Sequence, residues 1–130
     1  MSQENLEVVR SAFAAFEAGD LDRLRELVTE DLIVYRADPD GAASHGLEGF
    51  LALTADWTEG FRDWSPAPEE FTDAGERVLA RVRQSAYGEA SGVPLDEAWW
   101  FVYEFRGGRI AKMRIHAHKA EALEAVGLSE

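Results

Sequence analysis

The chain has 130 residues, 46% of them hydrophobic, no cysteine, and a formal net charge of −12. That length fits one domain able to bury roughly two-thirds of the surface its unfolded chain exposes, and the missing cysteines exclude disulfides, thiolate nucleophiles and cysteine metal sites. The acidic surface repels nucleic acid and anionic membranes, so neither is expected as a partner.

The opening MSQENLEVVR lacks the cationic and apolar parts of a signal peptide. No apolar stretch approaches the ~20 residues of a membrane span, and a cytoplasmic location is expected. Leu6, Val9, Phe13 and Phe16 recur at steps of three and four, one face of a helix. Gly19 can end that helix, and Asp20 can cap a second one striped by Leu21, Leu24 and Leu27. Leu32 to Tyr35 reads as a strand, and ADPDGAASH (37–45) as a loop of turn formers. Leu47, Phe50, Leu51, Thr54 and Trp57 restart helical spacing. Trp64 to Pro68, WSPAP, breaks it as a loop, and Glu69 to Thr72 forms at most a short strand. Val78–Tyr87, Glu97–Phe105 and Arg109–His118 follow as strands, the last two joined by Arg106-Gly-Gly108. KAEALEAVGL closes the chain as a short helix. Helices first and an antiparallel meander afterwards mean α+β rather than alternating α/β.

The order and spacing of several segments carry a resemblance: FAAFEAGDLDRL, TEDLIVY, HGLEGF, DAGERVLARVRQSAYGEASG, FRGGRIAKMRIHAH and ALEAVGL. Together they resemble the SnoaL-like branch of the nuclear transport factor 2-like, or ketosteroid isomerase-like, superfamily across nearly the whole chain. The resemblance implies a cone-shaped α+β roll. Three N-terminal helices pack on a curved, mostly antiparallel sheet, a short helix ends the chain, and one pocket is enclosed. Fold does not choose function in this superfamily, which holds isomerases, epoxide hydrolases, cyclases, dehydratases and non-catalytic binding domains.

Strand parity names the pocket face. A three-residue Arg106-Gly-Gly108 loop pairs Phe105 with Arg109 and Phe101 with Met113. It leaves Trp99, Phe101, Tyr103, Met113, Ile115 and Ala117 on one, more apolar face. Trp100, Val102, Lys112, Arg114, His116 and His118 form the other, which relatives commonly use to dimerise. A two-residue Gly-Gly turn would shift the pairing by one. The resemblance also places Val34 with Arg36, and Leu79, Arg81, Arg83 and Ser85, leaning inward. Arg81 and Arg83 read equally as ordinary ion-pairing residues or as a clamp for a carboxylate or carbonyl. Trp57, Trp99 and Phe101 read as plain core or as cavity wall, with Trp64 in a covering loop.

Proton abstraction beside a carbonyl needs a carboxylate base and a donor for the developing oxyanion. The resemblance puts the base of isomerase-like members at Arg36, which cannot deprotonate. It puts their oxyanion donors in SAFAAF and WWFV, where neither group is offered. The acids of the epoxide hydrolase arrangement fall on Arg83 or Ser85 and on Ile115, and the cyclase aspartate falls near Ile115 as well. His45 and Asp38 are what remain for acid–base work, each with a plainer reading, a helix start and a turn former. His116 and His118 share a strand face without a third ligand, so no metal or other cofactor is expected. The resemblance implies a homodimer joined through its outer sheet face. A small hydrophobic molecule, a carbonyl compound if the protein is an isomerase, cyclase or hydrolase, is expected to bind at Arg36, Trp57, Arg81, Arg83, Trp99, Phe101, Tyr103, Met113 and Ile115. The alternative is a non-catalytic dimerisation or protein-interaction module acting through the face with Trp100 and Val102.

Overall fold

The apolar stripe of the first segment forms α1 (Ser2–Ala18), the head of a helical hairpin, in a computed structural model that describes residues 2–36, 43–125 and 127. Gly19, at φ 70°, ends it: the Gly19 amide donates to Phe16 O and the Asp20 amide to Ala15 O. That pair of bonds is the left-handed helix stop that glycine favours. The Asp20 carboxylate then accepts from the Arg23 amide at 3.0 Å and starts α2 (Leu21–Leu27). The hairpin presents Val9, Ala15 and Leu24 to the core, all buried.

β1 (Val28–Tyr35) begins earlier than the expected Leu32, because Val28 and Thr29 are already buried against the sheet. Asp38 and Asp40 lie outside the described residues. β2 (Ala43–His45) pairs antiparallel with β1 where a loop was expected, and α3 (Gly46–Thr58) follows. The described strands form one six-stranded sheet in the order β2-β1-β6-β5-β4-β3, with only β1 and β6 parallel. The remaining members are β3 (Phe61–Asp73), β4 (Arg77–Gly88), β5 (Pro94–Arg106) and β6 (Arg109–His116). α1, α2 and α3 cover the concave face, and α4 (Lys119–Ala125) sits on the convex one. The α+β roll expected from the sequence is the observed architecture.

Three further local expectations need correction, and each has a physical cause. WSPAP is not a loop: it lies inside β3, a long strand at the edge of the sheet. An edge strand tolerates proline because every second amide faces solvent, and Pro66 and Pro68 share that parity. β3 stays in pairing with β4 through two register shifts, one around Asp63 (φ 55°) and one at Glu69.

The β5–β6 hairpin uses the two-residue turn rather than the three-residue loop. Arg106 faces Arg109, and Gly107 and Gly108 have φ of 61° and 78°, the mirror-image geometry that suits strand twist. Alone, that turn would have reversed the faces. A bulge at Ala111 restores them, because Phe105 pairs with Ile110 but Glu104 pairs with Lys112. Tyr103 then faces Met113, and Phe101 faces Ile115. The expected apolar face is thus kept through a different register.

The third correction concerns β4. Val82 pairs with Trp99 and Ala80 with Phe101, so Val78, Ala80, Val82 and Gln84 face inward. Leu79, Arg81 and Arg83 face outward. Leu79 is apolar for another reason: with Val102 it forms a small second core under Ala122 and Leu123 of α4. Val102, expected on an open dimerisation face, is 1% exposed for the same reason.

Candidate functional site

The concave side of the sheet and the three leading helices enclose a cavity of about 290 Å³. Its deep end is walled by Phe13 from α1, Leu24 from α2, and Tyr103, Ile110 and Met113 from β5 and β6. Phe13 stacks on Phe101 with ring centroids 6.5 Å apart and meets Tyr103 edge-on at 6.4 Å. Farther out, Phe16 contacts Phe50 at 5.9 Å and Trp64 at 6.0 Å, and Trp57 contacts Trp99 at 5.3 Å, all tilted or edge-to-face. Such pairs contribute about 0.5–1.5 kcal/mol each beyond their burial, so the wall is stiff as well as apolar. Arg36, Asp56 and Trp57 line the cavity yet remain exposed, and so mark its mouth.

Few polar groups enter this space. Burial alone pushes the Tyr103 phenol up, which holds it neutral and able to donate. Gln84 is 4% exposed, and its Oε1 accepts from Trp57 Nε1 at 2.8 Å and from Trp64 Nε1 at 2.9 Å. Trp99 turns its own indole N–H away, to Glu97 Oε1 at 2.6 Å. Among the described residues no group of three or more His, Asp or Glu side chains could hold a metal ion.

Of the residues singled out in the sequence, Arg36, Trp57, Trp99, Phe101, Tyr103, Met113 and Ile115 all line the cavity. Arg81 and Arg83 do not. They stand on the convex face, where Glu69 accepts from Arg81 at 2.8 Å and from Arg83 at 3.0 Å, and Asp96 accepts from Arg83 at 2.8 Å. Asp96 and then Glu69 hold the Arg83 guanidinium above its ordinary range. The bulge at Glu69 delivers that carboxylate to both arginines. These contacts are ordinary ion pairing, so the clamp role is withdrawn. His45 is exposed at the start of α3, in extended backbone ahead of Gly46 at φ 73°, and is not among the lining residues. The acid–base role is withdrawn from it, and its helix-start position is retained.

Sequence reasoning passed over Gln84, Thr54 and Asp56, which line the cavity. Gln84 was hidden by the inverted parity of β4. A glutamine set among Val78, Ala80 and Val82 on one strand face was the available signal, because a polar residue in an apolar row needs buried partners.

A search of curated proteins finds no match by sequence. Solved structures share the fold. An NTF2-like protein of unknown function from Burkholderia pseudomallei superimposes with a TM-score of 0.75 at 22% identity, covering 95% of this chain and 98% of that one. IdmH, a proposed polyketide cyclase from Streptomyces antibioticus, gives 0.74 at 20% identity over 95% of this chain and 99% of its own. TerC, co-crystallised with polyporic acid, gives 0.75 at 17% identity over 95% and 98%. The model of the SnoaL-like domain matches residues 9–113. With that match over most of its length, on the roll and enclosed cavity described above, the chain belongs to the SnoaL-like domain family.

Proposed function

We propose that the chain binds a small hydrophobic carbonyl compound in the cavity. The observation that carries this reading is the cavity itself: about 290 Å³, walled by aromatic and aliphatic side chains with a few convergent polar groups, which is the usual composition of a small-molecule site. TerC, co-crystallised with polyporic acid, and a protein with a ketosteroid isomerase-like fold from Catenulispora acidiphila, in complex with trimethylamine, are neighbours of the same fold with small molecules. Isomerisation, cyclisation, dehydration or hydrolysis of the bound compound are the reactions to assay. Their proton transfers would use Asp56 at the mouth, with Arg36 as a fixed positive charge beside it, because the described strands supply no carboxylate to the cavity. Homodimerisation through the outer sheet face is part of the same proposal, to be measured by light scattering. The alternative, a non-catalytic dimerisation or protein-interaction module acting through the face with Trp100 and Val102, is weakened because α4 buries Val102.

Titration calorimetry with the flat tricyclic hydrocarbon fluorene and its ketone 9-fluorenone tests the reading. Wild type is expected to bind one molecule per chain. Met113→Trp, placed at the deep end, is expected to stay folded and bind at least tenfold more weakly. No binding of either compound by wild type, or equal binding by Met113→Trp, overturns the reading.

A further inference from the structure

Gln84 sits where the sheet and the two outer walls of the cavity meet. Both hydrogen bonds described for its side chain end on Oε1, from the indoles of Trp57 and Trp64. An indole nitrogen only donates, so the atom between the two must be the carbonyl oxygen. The chemistry of its neighbours therefore fixes the amide orientation. Two donors at 2.8 and 2.9 Å use both lone pairs of Oε1 and leave Nε2 as the atom available to a partner. One indole comes from α3 and the other from β3, so two separate elements hold the amide plane.

Nε2 is not among the buried side-chain atoms that lack a partner, and so meets the open space of the cavity that Gln84 lines. A ligand atom that covers it strips its water at a cost, which an acceptor offsets and an apolar atom does not. The neighbouring wall, Phe16, Trp57, Trp64 and Trp99, offers flat apolar surfaces. We infer that Gln84 is the specificity-determining residue of this pocket. Its Nε2 donates to a carbonyl-type oxygen on a flat apolar ligand, and the Trp57–Gln84–Trp64 clamp holds that donor in place before the ligand arrives. This rests on the small-molecule reading above and adds to it the polar group that the ligand must carry.

The experiment compares fluorene, 9-fluorenone and 9-fluorenol by titration calorimetry on wild type, Gln84→Leu and Gln84→Glu. Wild type is expected to bind fluorenone about fivefold to tenfold more tightly than fluorene, the effect of one neutral hydrogen bond. Gln84→Leu is expected to bind the two equally. Gln84→Glu keeps an oxygen for the indoles and turns a second acceptor to the cavity, so it is expected to prefer fluorenol to fluorenone. A residue that only holds the two tryptophans would shift the folding midpoint and leave these ratios alone.

A measurement on wild type avoids dependence on the variants. The sequence has two glutamines, Gln3 and Gln84, so glutamine-labelled protein gives two pairs of side-chain amide resonances. The Gln84 pair is expected to shift downfield with fluorenone and not with fluorene. Equal affinity of wild type for the two compounds, with no such shift, overturns the role of Gln84 while leaving the pocket reading intact. Binding of neither compound overturns both.

Discussion

The two faces of one strand, β4, are built on different physics. Inward, Val78, Ala80 and Val82 are fully buried beneath the helices, and Gln84 is admitted with its oxygen held by two indoles. Outward, Arg81 and Arg83 stay partly solvated and pair with Glu69 and Asp96. The concave face is made by exclusion of water, so each side chain there depends on its neighbours' shape. The convex face is made by exposed charges in water, where ion pairs contribute little and tolerate exchange. Placement relative to the core, rather than residue type, sets what each position can do: the positively charged groups look more chemical, but the amide is the one aimed at a cavity.

The sharpest way to break this contrast is to compare two adjacent positions. Val82→Asp places an unpaired charge at a site with no exposure and is expected to cost about 3–5 kcal/mol in urea unfolding. Arg83→Ala, one residue on, is expected to leave the midpoint near that of wild type. Similar losses in both would erase the distinction.

The smallest expected effect sharpens the convex face. Burial lowers the His116 pKa below its ordinary 6.5, opposed by Glu121 and aided by Arg114, and its Nε2 is buried without a hydrogen-bond partner among the described residues. The folded chain then binds fewer protons than the unfolded one just below pH 6.5, so this contribution is complete above that value and is lost as pH falls through the lowered one. His116→Phe is expected to flatten the fall of the midpoint below pH 6.5 relative to wild type. An unchanged slope would show that His116 does not titrate with folding.

Element types and their order were legible because helical stripes and strand runs are local signals. Leu6, Val9, Phe13 and Phe16 declare α1, and Trp99 to Tyr103 declare a strand. The aromatic lining was legible too, since seven of the nine ligand-site residues named from the sequence reach the cavity. Registers were not, because a bulge is a single residue with no composition of its own. Ala111 looks like any alanine, yet it decides which way Met113 points. Leu79 misled for a related reason: an apolar residue reports burial, and here α4 supplies burial on the far face. Gln84 needed tertiary contacts, since its two indole partners are 27 and 20 residues away.

Pro66 and Pro68 carry one more consequence. β3 is the last strand on its side of the sheet, and an outer strand with free backbone donors is a template for another chain to zip onto. Where these prolines stand there is no N–H to offer, and Glu69 and Glu70 follow at once with charge. The segment that closes the aromatic wall of the cavity therefore also guards the sheet against edge-to-edge aggregation.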